Sequence, residues 1–165
     1  MFIIGIDPGA SGALALLDTV DDALLDVHDM PILKLKIGAT ESSQVAVGKL
    51  ETVLRKFLSH GALHVYCEQV GPTPGKGAVQ MFRFGENFGV LKGVIHMLGC
   101  PATFIPPAEW KRITRTPRDK DGARIRASQV FPLWAPAFSK GVHDGRAEAA
   151  MIALYGARHY RSGGF

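Results

Sequence analysis

Four carboxylates stand where an acid is isolated or costly. Asp7 closes the apolar run "FIIGID" and is followed at once by "PGASG". Glu68 ends the apolar stretch "LHVYCE" and is the only acid between Glu51 and Glu86. Asp144 and Glu148, in "HDGRAEAAMIALYG", are the only acidic side chains beyond Asp121. Being four residues apart, they share one helical face. Glu148 interrupts a stripe of small apolar residues, where a charge is expensive without a partner. Oxygen donors with no accompanying cysteine favour a hard cation, Mg2+ with Mn2+ as substitute, over zinc. Two such ions can stabilise both the entering and the leaving oxygen of a phosphodiester displacement. His143, beside the pair, is a further candidate as ligand or proton carrier. It also reads as an ordinary helix-start residue, and Asp144 as a helix N-cap.

These side chains need elements to bring them together. Met1–Asp7 reads as a strand covered on both faces. Residues 12–18 and 23–30 follow as an antiparallel meander. Residues 31–42 read as a loop, and a helix begins at Ser43, with Val47, Leu50, Val53, Leu54, Phe57 and Leu58 at helical spacing. Residues 63–70 form a strand and 71–77 a Gly/Pro loop. A helix over 79–98 carries Gly85, Gly89 and Gly93, which weaken it or mark close packing. Residues 102–105 form a short strand, "PPAEW" starts a helix with proline in its first turn, a basic helix runs over 120–131, and a last helix over 143–160. A strand–helix–strand unit implies parallel neighbours with a right-handed crossover. Asp7 and Glu68 then end adjacent strands, roughly 5 Å apart, at the sheet edge where ligands of open α/β folds collect. The whole reads as one domain over 1–160 with a frayed tail at 161–165.

With 165 residues, 47% of them apolar, the chain is sized for one core. No apolar run has the length of a membrane span, and the N-terminus reads as a strand and not as a signal peptide. Cys67 and Cys100 are too few for a disulfide framework and lack metal-ligand spacing, so a reduced, cytoplasmic protein is expected. Charge is uneven: residues 1–33 hold six aspartates and no Lys or Arg, so against a total of +4 the remainder carries +10. Seven basic residues against three acidic ones fall within 109–126. Either a polyanionic partner or a solvated helix face explains that bias.

"IIGIDPGASGALALLD", "VYCEQV" and "HDGRAEAAMIALYG", in this order, resemble the RuvC-type Holliday-junction resolvases of the RNase H-like superfamily. The intervening "FRFGENFGVLKGVIHMLGCPATFIPPAEWK" and the basic helix ending in "FP" resemble the bacterial and phage resolvase-like branch, so that the match covers about residues 2–158. The resemblance implies an α/β fold with a five-stranded mixed sheet (three antiparallel strands, then two parallel) flanked by helices. It also implies a homodimer and magnesium-dependent nicking of branched DNA, four-way junctions above all, in a bacterial cell or phage-infected host, with no membrane and no nucleotide cofactor. Asp7, Glu68 and Glu148 match the family's metal ligands. The remaining helical ligand usually stands three residues before the last, where this chain has Gly145, so Asp144 or His143 is left to complete the site. In-line attack by a metal-bound water, leaving a 5′-phosphate and a 3′-hydroxyl, is the implied chemistry. Lys111, Arg112, Arg115, Arg118, Lys120, Arg124 and Arg126, with Lys76 and Arg83, would neutralise phosphates, and Phe82 or Phe84 would stack on an opened base, though both equally fit a plain helix core. Two other readings stay open: an RNase H-like nucleic-acid binder without catalysis, and a relative of the actin-like ATPases, whose phosphate loop also has this Asp–Gly pattern.

Overall fold

The computed structural model describes residues 1–37, 40–61, 63–72 and 75–163. In chain order the elements are β1 (Phe2–Asp7), β2 (Ala13–Asp18), β3 (Leu24–Asp29), β4 (Ile32–Ile37), β5 (Thr40–Val45), α1 (Val47–Leu58), β6 (Leu63–Glu68), α2 (Ala78–Met97), β7 (Ala102–Ile105), α3 (Pro107–Thr114), α4 (Lys120–Val130), α5 (Ala135–Phe138) and α6 (Asp144–Arg161). Single 3-10 turns lie at Pro132–Trp134 and Gly141–His143. The main sheet has the order β3-β2-β1-β6-β7. β1 is antiparallel to β2 and parallel to β6, which is parallel to β7. This is the expected five-stranded mixed sheet.

The strand alternation divides the core into two layers. Ile3, Ala13, Ala15, Leu17 and Tyr66 face α6, together with Trp110, Ala127 and Phe138. Ile4, Ile6, Leu14, Leu16, Val65 and Cys67 face the opposite way, onto Leu50, Leu54 and Phe57 of α1 and Leu91 and Ile95 of α2. Cys67 and Cys100 are buried free thiols, as their apolar surroundings predict. No helix among the described residues is long and apolar enough to cross a membrane.

Helix α6 lies unusually close to the sheet. A Cβ on Gly5 would come within 2.2 Å of the Ala149 carbonyl oxygen and 2.3 Å of the Ala153 nitrogen. On the helix side, a Cβ on Gly156 would strike the Tyr66 ring at 2.4 Å. Ion pairs pin both ends: Arg146 grips Asp29 through two hydrogen bonds of 2.6 Å, and Arg161 grips Asp22 at 2.8 and 2.9 Å. Asp26 pairs with Lys56 at 2.6 Å, and Asp18 faces the N-terminal amine at 3.9 Å. Four of the six N-terminal aspartates are therefore matched within the chain, so much of the charge asymmetry is internal.

Two local expectations are corrected. The loop expected over 31–42 is replaced, where the residues are described, by β4 and β5, which pair as a separate antiparallel hairpin with Lys34 opposite Ser43 and Leu35 opposite Ser42, while residues 38–39 lie outside the described residues. The helix expected from Ser43 accordingly starts at Val47. Buried Asn87 of α2 holds the hairpin, accepting from the Val45 N–H at 2.9 Å and donating to the Ser43 carbonyl at 3.1 Å. At the other end, Arg161 of the expected tail belongs to α6, while residues 164–165 lie outside the described residues.

The close approach of α6 predicts a contrast between two glycines. Gly5→Val forces the helix off the sheet and lowers stability by about 3 kcal/mol or more. Gly85→Ala, whose Cβ meets nothing within 4 Å, raises it by about 0.5–1 kcal/mol. Urea unfolding of both variants checks this; a Gly5→Val protein as stable as the wild type contradicts the packing described.

Candidate active site

Period-two alternation aims two acids the same way. Ile3 and Gly5 of β1 face α6, so Asp7 does too; Tyr66 of β6 faces α6, so Glu68 follows. The parallel register pairs Ile6 with Cys67, which sets Asp7 and Glu68 abreast at the carboxyl edge of the sheet. Glu148 precedes the Ala149 carbonyl that lies over Gly5, so the close helix–sheet contact delivers it to the same edge. The "PGASG" bend is shaped around Asp7. The Gly9 N–H donates to Asp7 Oδ1 at 3.2 Å and the Gly12 N–H to the Gly9 carbonyl at 2.8 Å. A Cβ on Gly12 would sit 2.1 Å from the Asp7 carbonyl oxygen, so the bend admits no side chain there.

The three acids feel one another. Burial, then repulsion from Glu148 and Glu68, pushes Asp7 up to about 7, against the Gly9 hydrogen bond and the Lys111 charge. Burial raises Glu68 as well, with Glu148 adding to it and a hydrogen bond from Trp110 opposing. The consecutive residues Trp110 and Lys111 of α3 serve two different acids. Trp110 Nε1 donates to Glu68 Oε2 at 2.8 Å, and Lys111 Nζ donates to Glu148 Oε1 at 2.6 Å. The Lys111 ammonium also lies 5.0 Å from the Trp110 ring centroid. Neither contact is legible in the sequence, where the "WK" step enters through the family resemblance and Lys111 alone as a phosphate contact. Among the described residues, no group of three or more His, Cys, Asp or Glu side chains is already drawn in around one point as for an ion. The donors nevertheless suit a hard divalent cation: three oxygen-bearing groups in mutual repulsion, two of them desolvated, with one lysine ammonium as their counter-charge.

Asp144 and His143 are engaged by other partners. Asp144 accepts from Arg124 at 2.5 Å and pairs with Lys120 at 3.1 Å. Desolvation pushes its carboxyl upward, but these hydrogen bonds hold it below its ordinary value. His143 lies near Asp29 and Arg146, and desolvation followed by the Arg146 charge keeps it below the usual histidine range. Gly145 cannot carry a ligand, because its Cβ would meet the Ser11 carbonyl oxygen at 2.3 Å. The position three before Glu148 is thus sealed by the bend after Asp7.

The basic candidates divide in the same way. Arg124 is bound between Asp144 and Asp121, 2.5 Å from each, with its side chain only 16% exposed. Arg126 donates to the Thr114 carbonyl at 3.3 Å. Arg115 is exposed at the left-handed end of α3. Lys111, Arg112 and Arg118 line a groove of about 580 Å³ along α3. On the other side, Lys76, Arg83 and Phe84 line a groove of about 380 Å³ that reaches Gly9 and Ser11. Phe82 is 72% exposed. The acids therefore lie between two cationic grooves.

A raised Asp7 has a consequence for stability. Between about pH 4 and pH 7 the folded chain holds more protons at Asp7 than the unfolded chain, so stability falls as pH rises through that window. The loss is on the order of a few kcal/mol and complete above about pH 7. His64 and His143, both lowered mainly by desolvation, act oppositely around pH 6.5, but equally in any Asp7 variant. In metal-free buffer Asp7→Asn is expected to melt higher than wild type at pH 8 and alike at pH 4. Melting curves over that range test this, and parallel profiles for the two proteins contradict it.

No family model and no curated protein matches the sequence. Solved structures do. T. thermophilus RuvC in complex with Holliday junction substrate matches with a TM-score of 0.68 and 20% identity, covering 99% of this chain and 96% of that one. A further Thermus thermophilus RuvC structure matches with a TM-score of 0.57 and 20% identity, over 99% and 97%. The chain has the RuvC fold, the RNase H-like α/β arrangement with its five-stranded mixed sheet.

Proposed function

We propose that this protein is a metal-dependent endonuclease of branched DNA, a RuvC-type Holliday-junction resolvase working in the cytoplasm. What supports the reading is that Asp7, Glu68 and Glu148, from three distant segments, repel one another near the carboxyl edge of the sheet, with Lys111 and Arg112 on one side and Lys76 and Arg83 on the other. Two Mg2+ ions, with Mn2+ as substitute, are the cofactors whose chemistry fits these donors; Asp7, Glu68 and Glu148 would hold them, and they would supply Lewis-acid polarisation of a phosphoryl group and a lowered pKa for water.

The chain's own groups do the rest. Asp7 and Glu148 supply carboxylate oxygens, and Trp110 keeps Glu68 in one rotamer by its 2.8 Å hydrogen bond. Lys111 carries three N–H donors, of which Glu148 takes one, leaving the others for a phosphate oxygen. Arg112 and Arg118 bind the backbone on one side and Lys76 and Arg83 on the other, without reading bases. The reaction is hydrolysis: water oxygen bonds to phosphorus as the P–O3′ bond breaks, leaving a 5′-phosphate and a 3′-hydroxyl. Symmetric resolution of a four-way junction needs two such cuts, which a two-fold homodimer provides. Asp144 enters this account as the acid that orders Arg124 and Lys120 on α4, beside the site.

Purified protein is expected to nick a labelled four-way junction with Mg2+ and to leave it intact with EDTA. Asp7→Asn and Glu148→Gln should each slow nicking by about 10²-fold or more, with junction binding retained. Asp144→Asn should lose less than either. Binding without any nicking would leave a nucleic-acid-binding protein, and nicking undiminished in Asp7→Asn would remove these acids from the chemistry.

A further inference from the structure

The β4–β5 hairpin contributes nothing to the main sheet, yet a buried residue is devoted to fixing it. Asn87, only 6% exposed, makes both of its hydrogen bonds to the hairpin backbone. Such a clasp sets the hairpin at one distance from α2. Between the two runs the groove of about 380 Å³, with Ser42 and Ser43 on the hairpin side, Lys76 and Arg83 on the other, and Gly9 and Ser11 at its inner end. That inner end is the bend directly following Asp7.

Part of the charge along α3 and α4 is already committed within the chain. Lys111, Lys120 and Arg124 are each held by a carboxylate. Among the described residues, Lys76 and Arg83 form no ion pair with any acid. Glu41 is the single acid on the lining, and Lys34 stands 3.5 Å from it. Unpaired cations opposite hydroxyls, along a groove of a size that takes one small polar unit, suit a phosphate backbone and offer nothing to base edges.

We propose that the hairpin is the outer wall of a channel for a single DNA strand, carrying the sugar–phosphate backbone away from the bond at Asp7, with Asn87 as the positioning residue of that wall. This rests on the nuclease reading and adds to it a substrate-binding element absent from the central fold. The backbone of one strand crosses Gly9 and Ser11, passes between Ser43 and Arg83, and leaves past Lys76. Affinity gained there is electrostatic and independent of sequence.

Junction binding by fluorescence anisotropy across a salt series, in EDTA so that no strand is cut, tests this on the full-length protein. Lys76→Ala with Arg83→Ala should weaken binding and lower the log–log salt slope by about 1.4–1.8. Ser43→Glu, which sets an acid on the opposite wall, should weaken binding about tenfold or more while the melting temperature stays near that of the wild type. Asn87→Ala should raise KM for the junction while leaving kcat near the wild-type value, because it loosens the wall and not the acids. If Asn87→Ala fails to fold, the first two variants decide alone. Wild-type affinity and slope in both of them, in a protein that still nicks junctions, overturn the channel and leave the nuclease standing. A wild-type protein that neither binds nor nicks branched DNA removes both readings together.

Discussion

Like charges must be kept together out of water at the carboxyl edge of β1 and β6, and most of the architecture answers to that requirement. Glu148 raises the cost of ionising Asp7 and Glu68, and Glu68 that of Asp7, so nothing intrinsic to these acids favours the arrangement. It is held by the packing of α6 on β1 at distances that exclude a Cβ from Gly5, and by the Asp29–Arg146 and Asp22–Arg161 pairs at the two ends of that helix. A helix that could slide or lift would separate Glu148 from the strands. Here it cannot move without breaking apolar contacts and ion pairs at once.

The same tension explains α3. An indole N–H on Glu68 and an ammonium on Glu148 offset the repulsion, while among the described residues Asp7 accepts from the Gly9 N–H alone. Asp7 is thus the acid with the least local compensation, and the one whose protonation stabilises the protein in the absence of a cation. Site stability and site function oppose each other here, as is common where a fold stores unfavourable charge for use. The lysine adds flexibility to the arrangement, since an ammonium on a four-carbon stem can leave one acceptor for another without moving the helix that bears it.

Much of this was legible in the sequence, for identifiable reasons. Asp7 and Glu68 stood out because each ends an apolar run, and two parallel strands leave their ends side by side. Glu148 stood out because it interrupts a stripe of alanines. Asp144 was harder: spacing of four shows a shared face but not that Arg124 and Lys120, on another helix, compete for the carboxylate. The sealing of Gly145 by the Ser11 carbonyl is likewise a contact between segments over a hundred residues apart, which no local pattern reports. The β4–β5 hairpin was missed because β5 is almost wholly polar and β4 is largely exposed, and because the group that secures them, Asn87, lies in the next helix but one. Charge asymmetry left a polyanionic partner and a solvated helix face both open, and most of the early aspartates find their cations within the fold.

The central claim is that these three acids share divalent metal. It is tested most directly by an anomalous difference map from a crystal soaked in Mn2+. The account predicts density bounded by the carboxylates of Asp7, Glu68 and Glu148, with Lys111 Nζ moved off Glu148. Manganese bound only at other surfaces, with the Lys111–Glu148 pair intact at saturating metal, would contradict it.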